Sequence, residues 1–201
     1  MDQQTIASYN QSAARTAALY DTLVPESLYR LVERFFVPGA FSVDVGCGSG
    51  RDTYWMLKQG YRVVGIDAAA GMLSEARRRY PRLPFVRDSL PLLNSVRDGV
   101  FTNLLCSAVL MHLPADEVEP AVENLLRVTV DDGVVLVSFR HTDSSDQREN
   151  GKLYTPVAVD GLVSAFAVSG AALLYRETSD ETGRGLEWHN LVFKKSPRPA
   201  V

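Results

Sequence analysis

Short apolar runs rich in β-branched residues alternate along the chain with stretches that carry apolar residues at helical spacing. This alternation predicts βα units with a parallel sheet, and two further apolar runs near the carboxyl end predict a closing antiparallel hairpin. The predicted strands are 41–45, 61–66, 83–86, 99–106, 134–139, 171–178 and 186–194. The predicted helices are 5–20, 26–36, 51–58, a segment ending at 79, 115–129 and 155–167. The chain is therefore expected to be an α/β protein.

Three glycines at alternate positions, Gly46, Gly48 and Gly50, separate the first predicted strand from the helix that follows it. Because glycine has no Cβ, this turn can bring backbone amides close to a ligand, and the positive end of the next helix favours an anion there. Asp67 closes the second predicted strand. An acid at that place can accept hydrogen bonds from two ribose hydroxyl groups. The pattern predicts a site for a cofactor that contains ribose.

The spacing of the glycines distinguishes two classes of cofactor. The dinucleotide fingerprint G-x-G-x-x-G has a small residue at its third position, but that position is Arg51 in this chain. The run from Val43 to Gly50, with Asp44 at its second position, instead resembles the first motif of class I S-adenosylmethionine-dependent methyltransferases, D-x-G-x-G-x-G. The resemblance implies a Rossmann-like, doubly wound, seven-stranded and mostly parallel sheet with a C-terminal antiparallel hairpin. It also implies S-adenosylmethionine as the cofactor.

Individual roles follow from the same resemblance. Asp44 would orient the amino group of the cofactor through backbone or water, Asp67 would hold the ribose, and Asp88 would accept a hydrogen bond from the adenine amino group. Met72 would pack on the adenine ring, or else is a core methionine. The implied cofactor-binding residues are Asp44, Gly46, Cys47, Gly48, Gly50, Asp67, Ala68, Met72, Asp88, Ser89, Leu90 and Cys106.

The methyl acceptor would lie at the carboxyl ends of the fourth and fifth strands. His112, before Leu113-Pro114, is similar in position to a histidine of many small-molecule methyltransferases. His112 is a candidate general base or substrate contact, with the alternative that it caps or packs the next helix. DNA and RNA amino-methyltransferases carry an Asn/Asp-Pro-Pro-aromatic tetrapeptide here, and this chain lacks it. A small-molecule acceptor is therefore favoured over a nucleobase amine.

Two polar segments border the expected site. Tyr9-Asn10 and Tyr20-Asp21 resemble an N-terminal segment that folds over the cofactor in this family, although simple packing of an outer helix is equally compatible. Residues 142–152 are the most polar segment and are expected to form a weakly ordered loop, acting either as a lid or acceptor wall or as an inert surface loop. The candidate substrate-binding residues are Tyr9, Tyr20, His112, Arg140 and His141.

Composition restricts the remaining possibilities. The 201 residues suit one domain, expected at 1–195, with an N-terminal helical cap at 1–37 and a frayed tail at 196–201. A net charge of −3 gives no electrostatic footprint for nucleic acid. The two cysteines have no metal-ligand spacing and fit a reducing, cytoplasmic compartment. The sequence predicts no metal site, signal peptide or membrane span, and it indicates no oligomeric state.

The sequence therefore predicts an S-adenosylmethionine-dependent methyltransferase that acts by direct in-line transfer to a small-molecule acceptor. One alternative is a non-catalytic methyltransferase-like module that binds S-adenosylmethionine. Another is an NAD(P)-dependent oxidoreductase, which Arg51 disfavours because of its bulk and Asp88 disfavours because a dehydrogenase gives no reason for an acid there.

Overall fold

The computed structural model describes residues 1–142, 147–180 and 186–197. The helices in these residues are α1 Gln3–Tyr20, α2 Glu26–Phe35, α3 Arg51–Lys58, α4 Ala70–Arg79, α5 Val118–Val128 and α6 Val159–Val168. The strands are β1 Phe41–Val45, β2 Arg62–Asp67, β3 Phe85–Arg87, β4 Phe101–Ser107, β5 Thr129–Arg140, β6 Gln147–Glu149, β7 Lys152–Tyr154, β8 Ala171–Ser179 and β9 Trp188–Lys195. Two short 3-10 turns, Leu110–His112 and Ala115–Glu117, lie between β4 and α5.

Seven strands form one sheet in the order β3-β2-β1-β4-β5-β9-β8. The first five strands in this order, β3, β2, β1, β4 and β5, are parallel to one another. Strand β9 is antiparallel to both β5 and β8. The predicted fold class is therefore confirmed. Because the strand order reverses next to β1, a crevice opens at the carboxyl ends of β1 and β4, where open α/β sheets bind ligands.

Both faces of the sheet are buried. Successive residues of a strand point to opposite faces. In β5, Val135 and Val137 pack into an apolar cluster that also contains residues of α5 and α6, whereas Val134 and Leu136 pack into a second cluster with residues of α2 and α4. Burial on both faces explains why the central strands are nearly continuous apolar runs without a polar alternation.

The polar segment 142–152 differs from its prediction as a loop. Residues 143–146 lie outside the described part of the chain, but β6 and β7 pair as an antiparallel hairpin, named here the small hairpin (residues 147–154). The residue directly after this segment anchors the small hairpin to α1. Leu153 is buried, and its amide donates a hydrogen bond of 2.8 Å to the Thr5 hydroxyl. Each strand has only three residues, which is too few for a period-2 pattern to be recognised.

Helix α1 lies between α4 and the small hairpin. On the α4 side, the Gly71 amide donates to Asn10 Oδ1 at 2.8 Å, and the two backbones are so close that a Cβ on Gly71 would lie 3.0 Å from the Asn10 carbonyl oxygen. On the hairpin side, the Ser8 hydroxyl donates to the Asn150 carbonyl at 2.7 Å and Arg148 forms an ion pair with Asp2 at 2.9 Å. We call α1 and the small hairpin together the roof.

Two further boundaries differ from the sequence-based prediction. The strand predicted at 134–139 is longer in the structure, because β5 starts at Thr129, directly after α5. Asp132 has a φ of +61°, and the β4–β5 register shifts between Phe101 and Asn103, so these residues form an irregularity within the strand. Helix α6 begins at Val159, later than predicted.

The ends of the chain bear on the predicted domain limits. The amide of Ser196 donates to the Gly170 carbonyl at 2.8 Å, and residues 198–201 of the predicted tail lie outside the described residues. We still propose a single domain over 1–195 with the cap at 1–37. Among the described helices, none combines the length and the apolar composition needed to cross a bilayer.

Candidate functional site

A cavity of about 460 Å³ opens at the carboxyl ends of the central strands and lies under the roof. This volume falls within the range of small-molecule sites. The predicted site residues that line it are Tyr9, Tyr20, Gly46, Cys47, Gly48, Asp67, Ala68, Met72, Asp88, Ser89, Leu90, His112 and Arg140. We call the part at Gly46, Gly48, Asp67 and Asp88 the glycine end, and the part at His112, Arg140, Lys152 and Tyr154 the lysine end.

The glycine end depends on backbone that only glycine adopts easily. Gly46, Gly48 and Gly50 have φ values of +78°, +53° and +83°, which are disfavoured for residues with a Cβ. Space is also limiting at Gly46, where a Cβ would lie 2.1 Å from Val109 Cγ2. The Ser49 hydroxyl, beside the first turn of α3, is buried and has no hydrogen-bond partner among the described residues. A buried polar atom of this kind commonly marks an absent ligand or water.

Asp67 joins the glycine turn to the start of α4. Its Oδ2 accepts a hydrogen bond from the Gly48 amide at 2.8 Å, and its Oδ1 accepts one from the Ala69 amide at 2.7 Å. Burial raises the pKa of Asp67, and these backbone hydrogen bonds only partly offset that rise. Each carboxylate oxygen has a second acceptor site, so the group retains capacity for ligand hydroxyls.

Asp88 has local partners as well. Its Oδ1 accepts from the Ser89 amide at 2.7 Å, and its Oδ2 accepts from the amide of Ser95 at 2.7 Å and from the Ser95 hydroxyl at 2.5 Å. Partial burial raises the pKa of Asp88, but the Ser95 and Ser89 hydrogen bonds outweigh it and leave that pKa below its usual range. The group is therefore an ionised acceptor at the glycine end.

The other predicted site residues, all in the described part of the chain, do not line the cavity. Asp44 is buried behind it and accepts from the Thr53 hydroxyl at 2.6 Å. Burial, with a smaller effect from Asp52, raises the pKa of Asp44 to about 7. Cys106 is buried, and the exposed His141 lies beside Glu187 and His189. Gly50 precedes α3 as its left-handed N-cap.

Aromatic and charged side chains form the lysine end. Arg140 makes two hydrogen bonds to Glu149, at 3.1 and 2.6 Å, and its guanidinium carbon lies 3.9 Å from the centre of the Tyr154 ring. Lys152 Nζ lies 3.9 Å from the centre of the Tyr9 ring. The roof therefore supplies Glu149, Lys152, Tyr154 and Tyr9 to this end of the cavity.

The hydrogen bonds of His112 define its tautomer. Nδ1 lies 2.6 Å from the Leu153 carbonyl oxygen, and a carbonyl can only accept, so Nδ1 carries the proton. Nε2 then accepts from the Tyr9 hydroxyl at 3.2 Å. Burial, with smaller contributions from Lys152 and Arg140, lowers the pKa of His112 to about 4, although the Leu153 hydrogen bond opposes this. The side chain is therefore neutral near pH 7 and a weak base.

We expect His112→Gln to change the pH dependence of stability more than the pH dependence of catalysis. The pKa of His112 is about 4 in the folded chain, whereas the ordinary value for histidine, which applies to the unfolded chain, is 6.5. The unfolded chain therefore binds more protons between these values, and folding stability falls as pH drops through the window, by about 3 kcal/mol at pH 4. Thermal unfolding of wild type and variant from pH 4 to pH 7 measures the difference.

For catalysis, we expect the pH profile of the turnover rate to be the same in wild type and His112→Gln between about pH 6 and 7, with no inflection caused by His112. An inflection that is present in the wild type and lost in His112→Gln would identify the side chain as a general base and contradict this expectation.

Sequence reasoning did not single out several lining residues. Glu149 and Lys152 lie within the segment predicted as a lid, an acceptor wall or an inert loop, but Tyr154 and Trp188 lie outside it and were not among the candidate site residues. The position of Trp188 at the start of β9, next to the tip of β5, was the available signal, because antiparallel pairing brings those two ends together.

Comparisons with known proteins relate this chain to methyltransferases. A family model described as a methyltransferase domain matches residues 43–137. A malonyl-[acyl-carrier protein] O-methyltransferase of Serratia marcescens is 32% identical over 64% of this chain and 49% of its own length. A trans-aconitate 2-methyltransferase of Methylobacterium nodulans is 38% identical over 36% of this chain and 28% of its own. The chain thus spans about half the length of the first relative and less of the second.

A solved structure shares the fold over nearly the whole chain. It is the Burkholderia thailandensis 1,6-didemethyltoxoflavin-N1-methyltransferase with bound 1,6-didemethyltoxoflavin and S-adenosylhomocysteine. Its TM-score is 0.77 and its identity 19%, and the match covers 96% of this chain and 88% of that one.

The predicted resemblance to class I S-adenosylmethionine-dependent methyltransferases is therefore confirmed, and residues 43–137 match the methyltransferase domain. The cofactor of the chain is accordingly S-adenosylmethionine, which confirms the prediction made from the glycine spacing. The residue that broke the dinucleotide pattern, Arg51, starts α3 and pairs with Asp52 at 2.8 Å.

Proposed function

We propose that this protein transfers the methyl group of S-adenosylmethionine to a small-molecule acceptor bound at the lysine end. One observation carries the proposal. A single cavity joins the glycine end, which has the acceptors and turn expected for the cofactor, to the lysine end, which has charged and aromatic side chains suited to a second ligand.

At the glycine end, the residues fit the cofactor. Asp67 would accept from the ribose hydroxyls, Asp88 from the adenine amino group, and Met72 would pack against the adenine ring. The turn at Gly46 and Gly48 lets the backbone approach the methionine half closely. The orphaned Ser49 hydroxyl supports this fit, because it lies where a polar group of a ligand would satisfy it.

At the lysine end, the chain positions the acceptor and excludes water. When bound, S-adenosylmethionine supplies a methyl group that its sulfonium already activates. The remaining contribution of the protein is to hold the attacking atom in line and to keep water away. The roof keeps water away. The residues proposed to hold the acceptor in line are Tyr9, Tyr20, His112 and Arg140. His141 lies outside the cavity and would act only through its neighbours.

The named substrates of similar proteins support a small acceptor. The relatives act, by their names, on malonyl-[acyl-carrier protein] and trans-aconitate, and the solved structure contains 1,6-didemethyltoxoflavin. The cavity volume of about 460 Å³ is shared between cofactor and acceptor, which favours an acceptor, or an acceptor group, of modest size.

Calorimetry tests the cofactor part of the proposal. S-adenosylmethionine and S-adenosylhomocysteine should bind, whereas NAD and NADP should bind at least about 100-fold more weakly, because Arg51 replaces the small residue that a pyrophosphate needs at α3. Tighter binding of either dinucleotide would refute the proposal.

Methyl transfer tests the catalytic part. Radiolabelled S-adenosylmethionine is incubated with the full chain and a panel of carboxylic acids, alcohols, phenols and amines, and labelled products are separated. Label in any acceptor distinguishes an enzyme from a non-catalytic module that binds S-adenosylmethionine. Tight cofactor binding without transfer to any member of the panel favours the module.

A further inference from the structure

Lys152 carries the net charge of the lysine end. Arg140 and Glu149 neutralise each other, and Asp2, at the other side of the small hairpin, pairs with Arg148. Lys152 has no ion pair with any carboxylate of the described residues, and its contact is with the Tyr9 ring. Two cations and one carboxylate therefore leave one positive charge at this end of the cavity.

A half-buried ammonium without a counter-ion is unfavourable unless a ligand provides one. Burial lowers the pKa of Lys152, because removal from water disfavours the charged form of the side chain. A cation–π contact with Tyr9 compensates this cost only in part. Bound S-adenosylmethionine adds the positive charge of its sulfonium to the same cavity. An acceptor that lies between two cations is best matched by an anion.

The hydrogen-bond donors that line this part of the cavity also indicate an anionic ligand. Arg140 Nε and Trp188 Nε1 are buried and have no acceptor among the described residues. Arg140, Trp188 and Lys152 all line the cavity. Their side chains can only donate, so the ligand that satisfies them must be rich in acceptor atoms.

We propose that the methyl acceptor is a small carboxylic acid, bound as its carboxylate through an ion pair with Lys152. This inference rests on the proposed function and specifies its substrate class. A carboxylate oxygen attacks the methyl carbon, an O–CH₃ bond forms, and the C–S bond breaks with its electron pair going to sulfur. The carboxylate and sulfonium charges cancel to give an ester and a thioether, and no proton is released.

This reaction suits a site without a strong base. An ionised carboxylate already presents lone pairs at neutral pH, so no residue has to remove a proton from it. His112 Nε2 is occupied by the Tyr9 hydroxyl. The geometry therefore assigns His112 and Tyr9 to positioning.

Binding of carboxylates measures the inference directly. Malonate, succinate and trans-aconitate are titrated by calorimetry into the full chain with saturating S-adenosylhomocysteine, and the trimethyl ester of trans-aconitate serves as a neutral probe. The variants are Lys152→Met, which keeps the apolar stem against Tyr9, Lys152→Gln and Lys152→Arg. Lys58→Met is the matched control, since Lys58 is an exposed residue at the end of α3 that does not line the cavity.

We expect at least one acid to bind the wild type and its affinity to fall about 10- to 100-fold in Lys152→Met and Lys152→Gln. Lys152→Arg should keep most of the affinity, and Lys58→Met all of it. Affinity for S-adenosylhomocysteine alone should stay within about twofold in every variant, and thermal melts should show that each is folded. The affinity for the neutral trimethyl ester should be no higher in any variant than in the wild type.

Two results overturn the inference while leaving the proposed function intact. One is a wild type that binds S-adenosylhomocysteine but none of the acids. The other is a folded Lys152→Met that binds an acid within about threefold of the wild type. A wild type that fails to bind S-adenosylhomocysteine refutes the proposed function instead.

Proton release during turnover gives a second readout. With a carboxylic acid as acceptor, a weakly buffered reaction at neutral pH should release no proton with each methyl transferred. Release of one proton for each transfer, as for a hydroxyl or ammonium acceptor, overturns the assignment.

Discussion

Gly46→Ala will eliminate most S-adenosylhomocysteine binding and destabilise the fold. The substitution places a Cβ on backbone with a φ of +78° and 2.1 Å from Val109 Cγ2. The strained backbone and the overpacking should together cost about 2–5 kcal/mol of unfolding free energy. Relief of the overlap pushes Val109 into the cavity, where it takes space from the ligand. Denaturant unfolding and calorimetry measure the two effects.

Two variants separate strain from overlap. Gly60→Ala is the matched control, because Gly60 also has a positive φ, +90°, but apart from its chain neighbours no described residue lies within 4 Å of the added Cβ. In the double variant Gly46→Ala/Val109→Ala, the nearest remaining contact is the Val109 Cβ position at 3.4 Å. The double variant should recover about 1 kcal/mol or more relative to additivity. Equal destabilisation by Gly46→Ala and Gly60→Ala would show that the overlap has no energetic effect.

Asp67→Asn should weaken S-adenosylhomocysteine binding about 30- to 150-fold, which corresponds to about 2–3 kcal/mol. The side chain keeps its size but loses one acceptor oxygen. Because both oxygens accept from backbone amides, those of Gly48 and Ala69, the new NH₂ group must face a donor in either orientation. The glycine turn and the ribose contact are therefore both weakened.

Asp88→Asn is the comparison for Asp67→Asn. Both carboxylate oxygens of Asp88 also accept hydrogen bonds from backbone amides, those of Ser89 and Ser95. The new NH₂ group should therefore disturb the local backbone to a similar extent. The proposed ligand contact of Asp88 is a single amino group, and the loss of affinity should be smaller. Binding within about threefold of the wild type by a folded Asp67→Asn would be incompatible with the proposed ribose contact.

The glycine end could be predicted because its information is local. The strand, the glycine turn and the start of α3 lie within residues 41–58, and steric rules connect glycine to positive φ without reference to the rest of the chain. Asp67 could be placed because β2 pairs in register beside β1, with Ile66 opposite Val45. Parallel pairing then fixes which strand ends lie together. The roles of these residues in ligand binding stay predictions.

The lysine end could not be derived in this way because its contacts join distant parts of the chain. Tyr9 is 103 residues from its partner His112, and His112 is 41 residues from Leu153. No periodicity in the sequence encodes such pairs. The small hairpin was predicted as a loop because ion pairs of its polar side chains hold it in place, Glu149 with Arg140 of β5 and Arg148 with Asp2 at the start of α1, and composition alone does not reveal these pairs.

We expect the position of α1 to couple the binding of the cofactor thermodynamically to that of the proposed acceptor. This helix supplies Tyr20, near Gly48, to one end of the cavity and Tyr9, beside Lys152, to the other, and the two hydroxyls lie 3.5 Å apart. A rigid helix cannot adjust at one end without moving the other. Any ligand that favours one placement of α1 changes the affinity for its co-ligand, and by reciprocity the second ligand changes the affinity for the first by the same factor.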